Sequence, residues 1–161
     1  LYNRLQQGEA ALELQLALVR AIAWIETPTA LEYLRQLLDF TPLPLSQEIV
    51  SRLGHMTVPS LQAIASEILQ SFLTSNKPVA THPQIQQSIA TALGELRQIE
   101  AIDSLIQLLA NPDDGVKLHA IAALKHLCWD LAHQKLQQMA TQPDLTPALA
   151  EGIAIALQEW S

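Results

Sequence analysis

Apolar residues recur at helical spacing along most of this chain. In residues 115–128, Ala120, Ala123, Leu124 and Leu127 follow the i, i+3, i+4, i+7 spacing that puts them on one face of a helix. Other stretches keep this spacing and leave polar residues on the opposite face. The pattern therefore predicts a series of amphipathic helices joined by short turns.

The helical pattern also repeats along the chain. A shift of 31 residues places Leu124 on Leu93, a shift of 40 places Leu93 on Leu53, and a shift of 71 places Leu96 on Ile25. Each unit consists of a helix, a short turn, a second helix and a loop. Because one helix pair cannot cover its own apolar face, neighbouring pairs must stack on one another.

Prolines and capping residues divide the pattern into nine predicted helices. They lie at about 9–26, 28–39, 45–56, 58–75, 82–97, 99–110, 115–128, 130–141 and 146–160. Residues 1–7 are expected to be the tail of an earlier helix that ends at Gly8. The less regular segment 74–84 is expected to form a mobile loop or a hinge.

The predicted fold is all-α, an α-α superhelix of about four and a half helical hairpins in a single domain over residues 1–161. Its units lie at about 9–40, 45–76, 82–110 and 115–141, with a half unit at 146–161. The composition agrees, since Leu, Ala and Gln enter helices at little cost and aromatic residues make up only 4% of the chain. Because the chain begins with Leu1, it is expected to be part of a longer protein.

Charge and cysteine content narrow the class of protein further. Nine basic against sixteen acidic residues give a net charge of −7, which disfavours binding to nucleic acid. The sequence has no polybasic run for an anionic membrane surface and no apolar stretch long enough to span a bilayer. A single cysteine, Cys128, excludes an internal disulfide. A cytoplasmic protein is expected.

Candidate chemical groups are few, and each has a structural explanation. His119, His126 and His133 are seven residues apart, which separates neighbours by about 10.5 Å along a helix, too far to share a metal ion. They are expected to be surface or inter-helix histidines. Cys128 is expected to be packed and inert, with nucleophilic or bilin-attaching roles as the alternative. Asp113-Asp114 is expected to cap a helix. No catalytic residue, metal site or cofactor is predicted.

The three tryptophans are candidates for a partner contact. Trp24 and Trp129 lie next to core positions, so each is expected to be half exposed, whereas Trp160 occupies a core or end-cap position. An exposed Trp on a helical solenoid can anchor a partner. Packing between repeats is the favoured interpretation.

The stretch "NPDDGVKLHAIAALKHL" (111–127) resembles the HEAT-like repeat of the phycobilisome-lyase type. That unit runs D-P-[DN]-x-x-V-R-x-x-A-A-x-A-L-G-x-[IL], followed by an A-x-x-x-L-[IL]-x-L-L helix, which 101–109 matches. The resemblance is strong over 82–140 and weak over 41–76. The usual Arg after Val is Lys117 in one copy and Gln86 in another.

The resemblance implies a HEAT-like solenoid and leaves the function open. Some members of this family attach or remove bilin chromophores, others take part in phycobilisome turnover, and many bind proteins. The segment "AIAWIE" around Trp24 gives the one hint of a bilin-lyase subunit. A bilin is therefore expected only if the protein is a bilin-lyase subunit. That function would need a groove formed with a second subunit.

The favoured function is a non-catalytic scaffold that binds a protein of unknown identity. A regulatory or sensory repeat domain in a larger protein is a further reading that the sequence does not separate from it. The second helix of each pair is expected to line the concave side of the stack. The predicted ligand-contacting residues there are Glu32, Arg35, Gln36, Asp39, Gln62, Glu67, Glu100, Asp103, Gln107, Gln134, Lys135 and Gln138.

Overall fold

A computed structural model describes residues 2–160 of the chain and the side chains of residues 11–160. Helices and turns account for residues 2–160, and no strand occurs among them, which confirms the all-α prediction. The helices are α1 (Tyr2–Ile25), α2 (Pro28–Leu38), α3 (Leu43–Gly54), α4 (Pro59–Leu73), α5 (Pro83–Leu96), a 3-10 turn (Ile99–Ala101) leading into α6 (Ile102–Leu108), α7 (Asp114–Ala140) and α8 (Pro147–Glu159).

Most helices begin where the sequence predicted, because the capping residues act as expected. The side chains of Thr27, Asp113 and Thr146 each accept a hydrogen bond from a backbone N–H in the first turn that follows. Asp113 accepts from the backbone N–H of Val116 at 2.9 Å. These bonds satisfy donors that a helix start would otherwise leave unpaired, so capping accounts for Asp113.

Two helix boundaries differ from the prediction. The helix α1 continues through Gly8, so the expected end at this residue was wrong. Glycine costs about 1 kcal/mol inside a helix relative to alanine, a penalty that favourable neighbours outweigh. The helix α7 runs through both predicted helices of the fourth unit, but Cys128 has φ −164° and ψ 97°. The chain therefore bends at the predicted boundary.

The helices form two layers, in the order that the internal repeat requires. The first helices of successive units pack in series, α1 on α3, α3 on α5, α5 on the first half of α7, and α7 on α8. The second helices are α2, α4, α6 and the second half of α7, and they cover the other side of the core. This arrangement is the predicted α-α superhelix. The division into units as one domain stays a prediction.

The first helices approach one another closely at small residues. A Cβ placed on Gly54 of α3 would lie 2.7 Å from the Cβ of Ala92 in α5. A Cβ on Gly94 of α5 would lie 3.0 Å from both the Cα and the Cβ of Ala123 in α7. Since real Cβ contacts are longer than these, larger side chains would push the helices apart. The small residues that the repeat keeps at these positions, Gly and Ala, therefore set the spacing between the first helices.

The link between the second and third units, residues 74–84, is fixed by a buried side chain, a hydrogen bond and an ion pair. Ala80 is fully buried against the core. The Thr81 hydroxyl donates to the carbonyl oxygen of Pro78 at 2.8 Å, and Lys77 forms an ion pair with Asp39 at the end of α2. The segment therefore packs against two units. The expectation that it is a mobile loop or a hinge stays a prediction.

Within residues 2–160, no helix is both long and apolar enough to cross a membrane.

Among the glycines of residues 11–160, the closest approach occurs at Gly152, where an added Cβ would overlap the backbone carbonyl of Leu109. We expect Gly152→Ala to lower the free energy of unfolding by about 1–3 kcal/mol, because backbone cannot move aside as a side chain can. Urea unfolding followed by circular dichroism measures this loss.

Gly115→Ala is the matched control. Its added Cβ would meet the end of the Gln87 side chain at 2.5 Å, and that amide can swing away. This variant should match or exceed the wild-type stability, since Ala favours helix. Equal stabilities of the two variants would contradict the proposed packing constraint.

Candidate functional site

Three outward positions recur on the first helix of each unit. In α5 they are Ser88, Thr91 and Glu95, on the side of the helix away from the core. The same positions hold other residues in the neighbouring units, namely Glu48, Ser51 and His55 in α3, His119, Ala122 and His126 in α7, and Ala17, Arg20 and Trp24 in α1. The repeat therefore lines up these side chains from helix to helix while the core residues between them stay alike.

Clefts lie between the successive first helices at these positions. Volumes are about 520 Å³ between α1 and α3, about 340 Å³ between α3 and α5, and about 240 Å³ between α5 and α7. His55 lines the first two clefts, and Thr91, Glu95 and His119 line the last two. Because neighbouring clefts share lining residues, they form a row of adjoining clefts across four units, which we call the first-helix groove.

The floor of the first-helix groove consists of the small residues that let the helices approach. Gly54 and Ala92 line the cleft between α3 and α5, and Gly94 and Ala123 line the cleft between α5 and α7. Small side chains at the contact leave space above the helix axes. The feature that sets the helix spacing therefore also creates the groove.

The walls of the groove carry hydrogen-bonding groups, among them the imidazoles of His55 and His119 and the carboxylate of Glu95. The ring nitrogen Nδ1 of His55 lies 2.6 Å from the carbonyl oxygen of Ser51, and Nδ1 of His119 lies 2.7 Å from that of Gly115. Since a carbonyl oxygen can only accept, Nδ1 is the donor in each case, and Nε2 of a neutral ring is left as an acceptor. The Thr91 hydroxyl donates to the carbonyl oxygen of Gln87 at 3.1 Å.

The end of the groove at α1 has a cationic and aromatic character. The guanidinium groups of Arg20 and Arg52 both donate to Glu48, at 2.8 and 2.9 Å. Partial burial acts to raise the pKa of Glu48, but the hydrogen bonds and charges of the two arginines outweigh it and hold the pKa below its usual value. Two cations thus share one carboxylate beside Trp24, which is 89% exposed.

The structure places all twelve predicted ligand-contacting residues on the second helices or at their ends, which we call the second-helix row. Ten of the twelve are exposed, and Gln62 and Lys135 are half-buried. Whether this row is the concave side stays a prediction. Gln62 donates to the backbone carbonyl of Met56 at 2.9 Å, which reduces its capacity to bind a ligand.

Parts of the second-helix row are brought together and others are not. The side chains of Glu67 and Glu100 line one cleft of about 280 Å³, and Lys135 pairs with Asp103 at 2.5 Å. Asp39 pairs with a residue outside the predicted set, Lys77. Several charges of this row are therefore already neutralised by ion pairs within the protein.

Charge pairing within α2 is strongest at Glu32. Arg35 donates to both carboxylate oxygens and Gln36 donates to one of them. These hydrogen bonds lower the pKa of Glu32 to about 2. Glu32 is therefore ionised at neutral pH.

The tryptophans divide into one exposed residue and one packed pair. The exposure of Trp24 exceeds the predicted half, so packing between repeats was the wrong interpretation for this residue. Trp160 is buried as predicted, with its ring centroid 5.2 Å from that of Trp129, which is 47% exposed. Lys125 lies over both rings, and His133 stacks on Trp160 with 6.0 Å between ring centroids. This cluster covers the end of the stack.

The other candidate chemical groups lie apart. His126 is 3.9 Å from Glu95 across the groove, whereas His133 stacks on Trp160 in the end cluster. Among the residues that the structure describes, no three His, Cys, Asp or Glu side chains come together as a metal site would require. Cys128 is half-buried at the bend in α7. The carboxylate of Asp114 is exposed and pairs with Lys117 at 3.5 Å.

The first-helix groove was missed by the sequence analysis. The signal lay in the superposition of the units, since Ser51, Thr91 and Ala122 differ in size and chemistry at one outward position while the neighbouring core positions stay apolar. Variation at a fixed outward position indicates a surface that is free to specialise. The predicted ligand face rests on the expected curvature of the stack instead.

Comparison with known families identifies two repeat types in this chain. A family model described as HEAT repeats matches residues 77–158, which is half of the chain. A second model, described as PBS lyase HEAT-like repeat, matches residues 14–40, on α1 and α2. Both matches agree with the resemblance that the sequence motifs indicated. No curated protein matches the chain.

Replacing Glu48 by Gln should lower the free energy of unfolding at neutral pH by about 1 kcal/mol, since it removes the charge that Arg20 and Arg52 share. The pKa of Glu48 is lowered in the folded state. Its contribution is therefore complete above the unfolded pKa of about 4.3 and is lost as pH falls through the folded value. Urea unfolding of the wild type and E48Q should differ near neutral pH and converge in acid.

Glu151→Gln, at an exposed position of α8, is the control for this pH series. Its stability should follow the wild type at every pH. A wild type and E48Q of equal stability at neutral pH would show that the shared carboxylate adds nothing.

Proposed function

Because the chain belongs to the HEAT-repeat family, we propose that it is a non-catalytic scaffold that binds a protein ligand along the first-helix groove. The observation that carries the proposal is the alignment of outward side chains from four successive units along a row of adjoining clefts. Such a row gives a ligand one contact region per repeat. Repeat proteins use extended surfaces of this kind for binding.

The chemistry of the groove favours a polypeptide ligand in an extended or helical form. The hydroxyl groups of Ser51 and Thr91, the imidazoles of His55 and His119 and the carboxylate of Glu95 can pair with amide and hydroxyl groups. Trp24 at one end is an exposed aromatic anchor of the type that dominates many interfaces. A ligand with an acidic or apolar residue opposite Arg20 and Trp24 would match that end.

The second-helix row is retained as a second proposed contact face. Glu67 and Glu100 line one cleft and would favour a basic segment of the ligand. The ion pairs already present in this row, such as Lys135 with Asp103, offset part of its charge. We therefore assign the main contact to the groove and a supporting, electrostatic contact to the second-helix row.

Thr91→Trp should block the groove and weaken binding of a protein captured from the native lysate at least about tenfold, measured by calorimetry with the purified partner. Thr74→Trp is the matched control. Both threonines are exposed, and each hydroxyl donates to the carbonyl four residues earlier, but Thr74 lies at the end of α4 and lines none of the clefts described above. Equal affinities of the two variants would exclude the groove as the binding site.

Charge reversal at Glu100 and Asp103 tests the second-helix row. We expect the double variant E100K/D103K to weaken the same complex modestly and to reduce its salt dependence, because exposed charges steer and orient a partner more than they hold it. The pair D144K/E151K makes the same change in net charge at exposed positions of the last unit. Equal affinity of E100K/D103K and the wild type would exclude this row.

A role in bilin attachment or phycobilisome turnover is the second candidate, and one observation favours it. The match to the PBS lyase HEAT-like repeat covers the segment that carries Trp24. The adjoining cleft of about 520 Å³ has the size of a small-molecule site and contains Arg20 and Arg52, which can pair with the propionate groups of a linear tetrapyrrole. Glu48 neutralises one of these two cations.

Mixing the protein with phycocyanobilin tests this candidate directly. A shifted and intensified red absorption band, lost in Arg20→Ala and kept in Arg97→Ala, would support bilin binding in this cleft. No change in absorption, with or without an apo-phycobiliprotein, would leave the scaffold function alone.

A further inference from the structure

The outer face of α1 exposes large apolar side chains in a row. Leu14, Leu18 and Ile25 are 62%, 53% and 60% exposed, and Ala21 between them is exposed too. The opposite face of α1 packs on α3, where Val19 is buried. The helix α1 is therefore apolar on two sides, and only one of them is covered by the described residues.

The exposed positions of α1 are core positions in the other units. A shift of 71 residues places Leu14, Leu18 and Ile25 on three residues of α5, which are at most 2% exposed, namely Ile85, Ile89 and Leu96. Their counterparts in α3, α7 and α8 are buried as well. In α5 the neighbouring helix α3 covers this side. The outer face of α1 thus has the composition of a buried helix–helix contact.

A cleft beside this face adds a recess for a partner's side chain. It has a volume of about 440 Å³ and lies between the end of α1 and the start of α2, lined by Ile22, Ile25, Thr27, Thr29, Ala30 and Tyr33. Tyr33 is 57% exposed at its rim. No charged residue lines this recess, so an apolar side chain fits it best.

We propose that this face, formed by Leu14, Leu18, Ala21 and Ile25 of α1 with Tyr33 of α2, binds the same face of a second copy of the chain. The contact is self-complementary and forms a closed, symmetric dimer. It lies outside the first-helix groove and is separate from the binding function proposed above.

The spacing along α1 supports a like helix as the occupant. Intervals of four, three and four residues join Leu14, Leu18, Ala21 and Ile25. This is the spacing with which two helices of the same kind pack side by side. The small Ala21 near the middle of the row lets the helices approach closely.

The charge distribution also supports a second copy. Each chain carries a net charge of −7, yet no acidic residue lies between Leu14 and Ile25. The one charged residue there, Arg20, turns away to Glu48 of α3. Two copies that meet over residues 14–25 therefore bring no carboxylates together within that row.

The other exposed apolar residues give no alternative face for a head-to-tail contact. Among the described side chains, Phe40, Val58, Ile99 and Leu118 lie on separate elements or turns, and Trp24 lines the first-helix groove. Trp129 at the far end packs with Trp160 under Lys125. A symmetric contact is therefore the arrangement that buries the α1 row on both partners.

Sedimentation velocity over a range of protein concentrations tests the proposal. We expect a monomer–dimer equilibrium for the wild type. Leu18→Glu should weaken the dimer roughly a hundredfold, because it places two carboxylates in the contact. Leu118→Glu adds the same charge at a leucine of similar exposure on α7 and should leave the dimer intact.

The salt response gives a second readout. Added salt should strengthen the dimer, since it screens repulsion between two acidic chains while leaving apolar contact in place. Thr91→Trp should not alter it, which separates this proposal from binding in the groove. A monomer at all concentrations, or a dimer that L18E leaves unchanged, would overturn the proposal and assign the face to another occupant, such as a different repeat-containing polypeptide.

Discussion

The close approach of successive first helices is the constraint on which the rest of the structure depends. Gly54 faces Ala92 and Gly94 faces Ala123 at distances that leave little room for a larger side chain. Backbone-to-backbone contact of this kind fixes the spacing and register of the layer. Once the register is fixed, each unit buries the leucines and isoleucines of the next, and the stack becomes continuous.

The same constraint separates the residues that fold the chain from those that can serve function. Core positions such as Ile89 and Leu93 are held by packing on both sides. Outward positions one or two residues away, such as Ser88 and Thr91, face the first-helix groove. A repeat protein can therefore change its ligand surface without changing its stack.

Stacking also explains why the two ends of the structure differ. At one end Trp129, Trp160 and Lys125 cover the last unit. At the other end α1 keeps an apolar outer face, because the repeat builds every first helix with two contact sides. An exposed contact side has the composition of an interface. The proposal that a second copy of the chain binds this face draws on the absence of acidic residues between Leu14 and Ile25.

The sequence alone determined the helices, their order and the repeat, because apolar spacing and capping residues such as Thr27 and Asp113 act locally. It located the bend at Cys128 but placed a helix end at Gly8, where favourable neighbours continue the helix. Only the tertiary structure showed that Ser51, His55 and Thr91, distant in sequence, line one groove. The shape of a cleft depends on how closely two helices approach. That distance is set by contacts between units, which the spacing of apolar residues along one helix does not reveal.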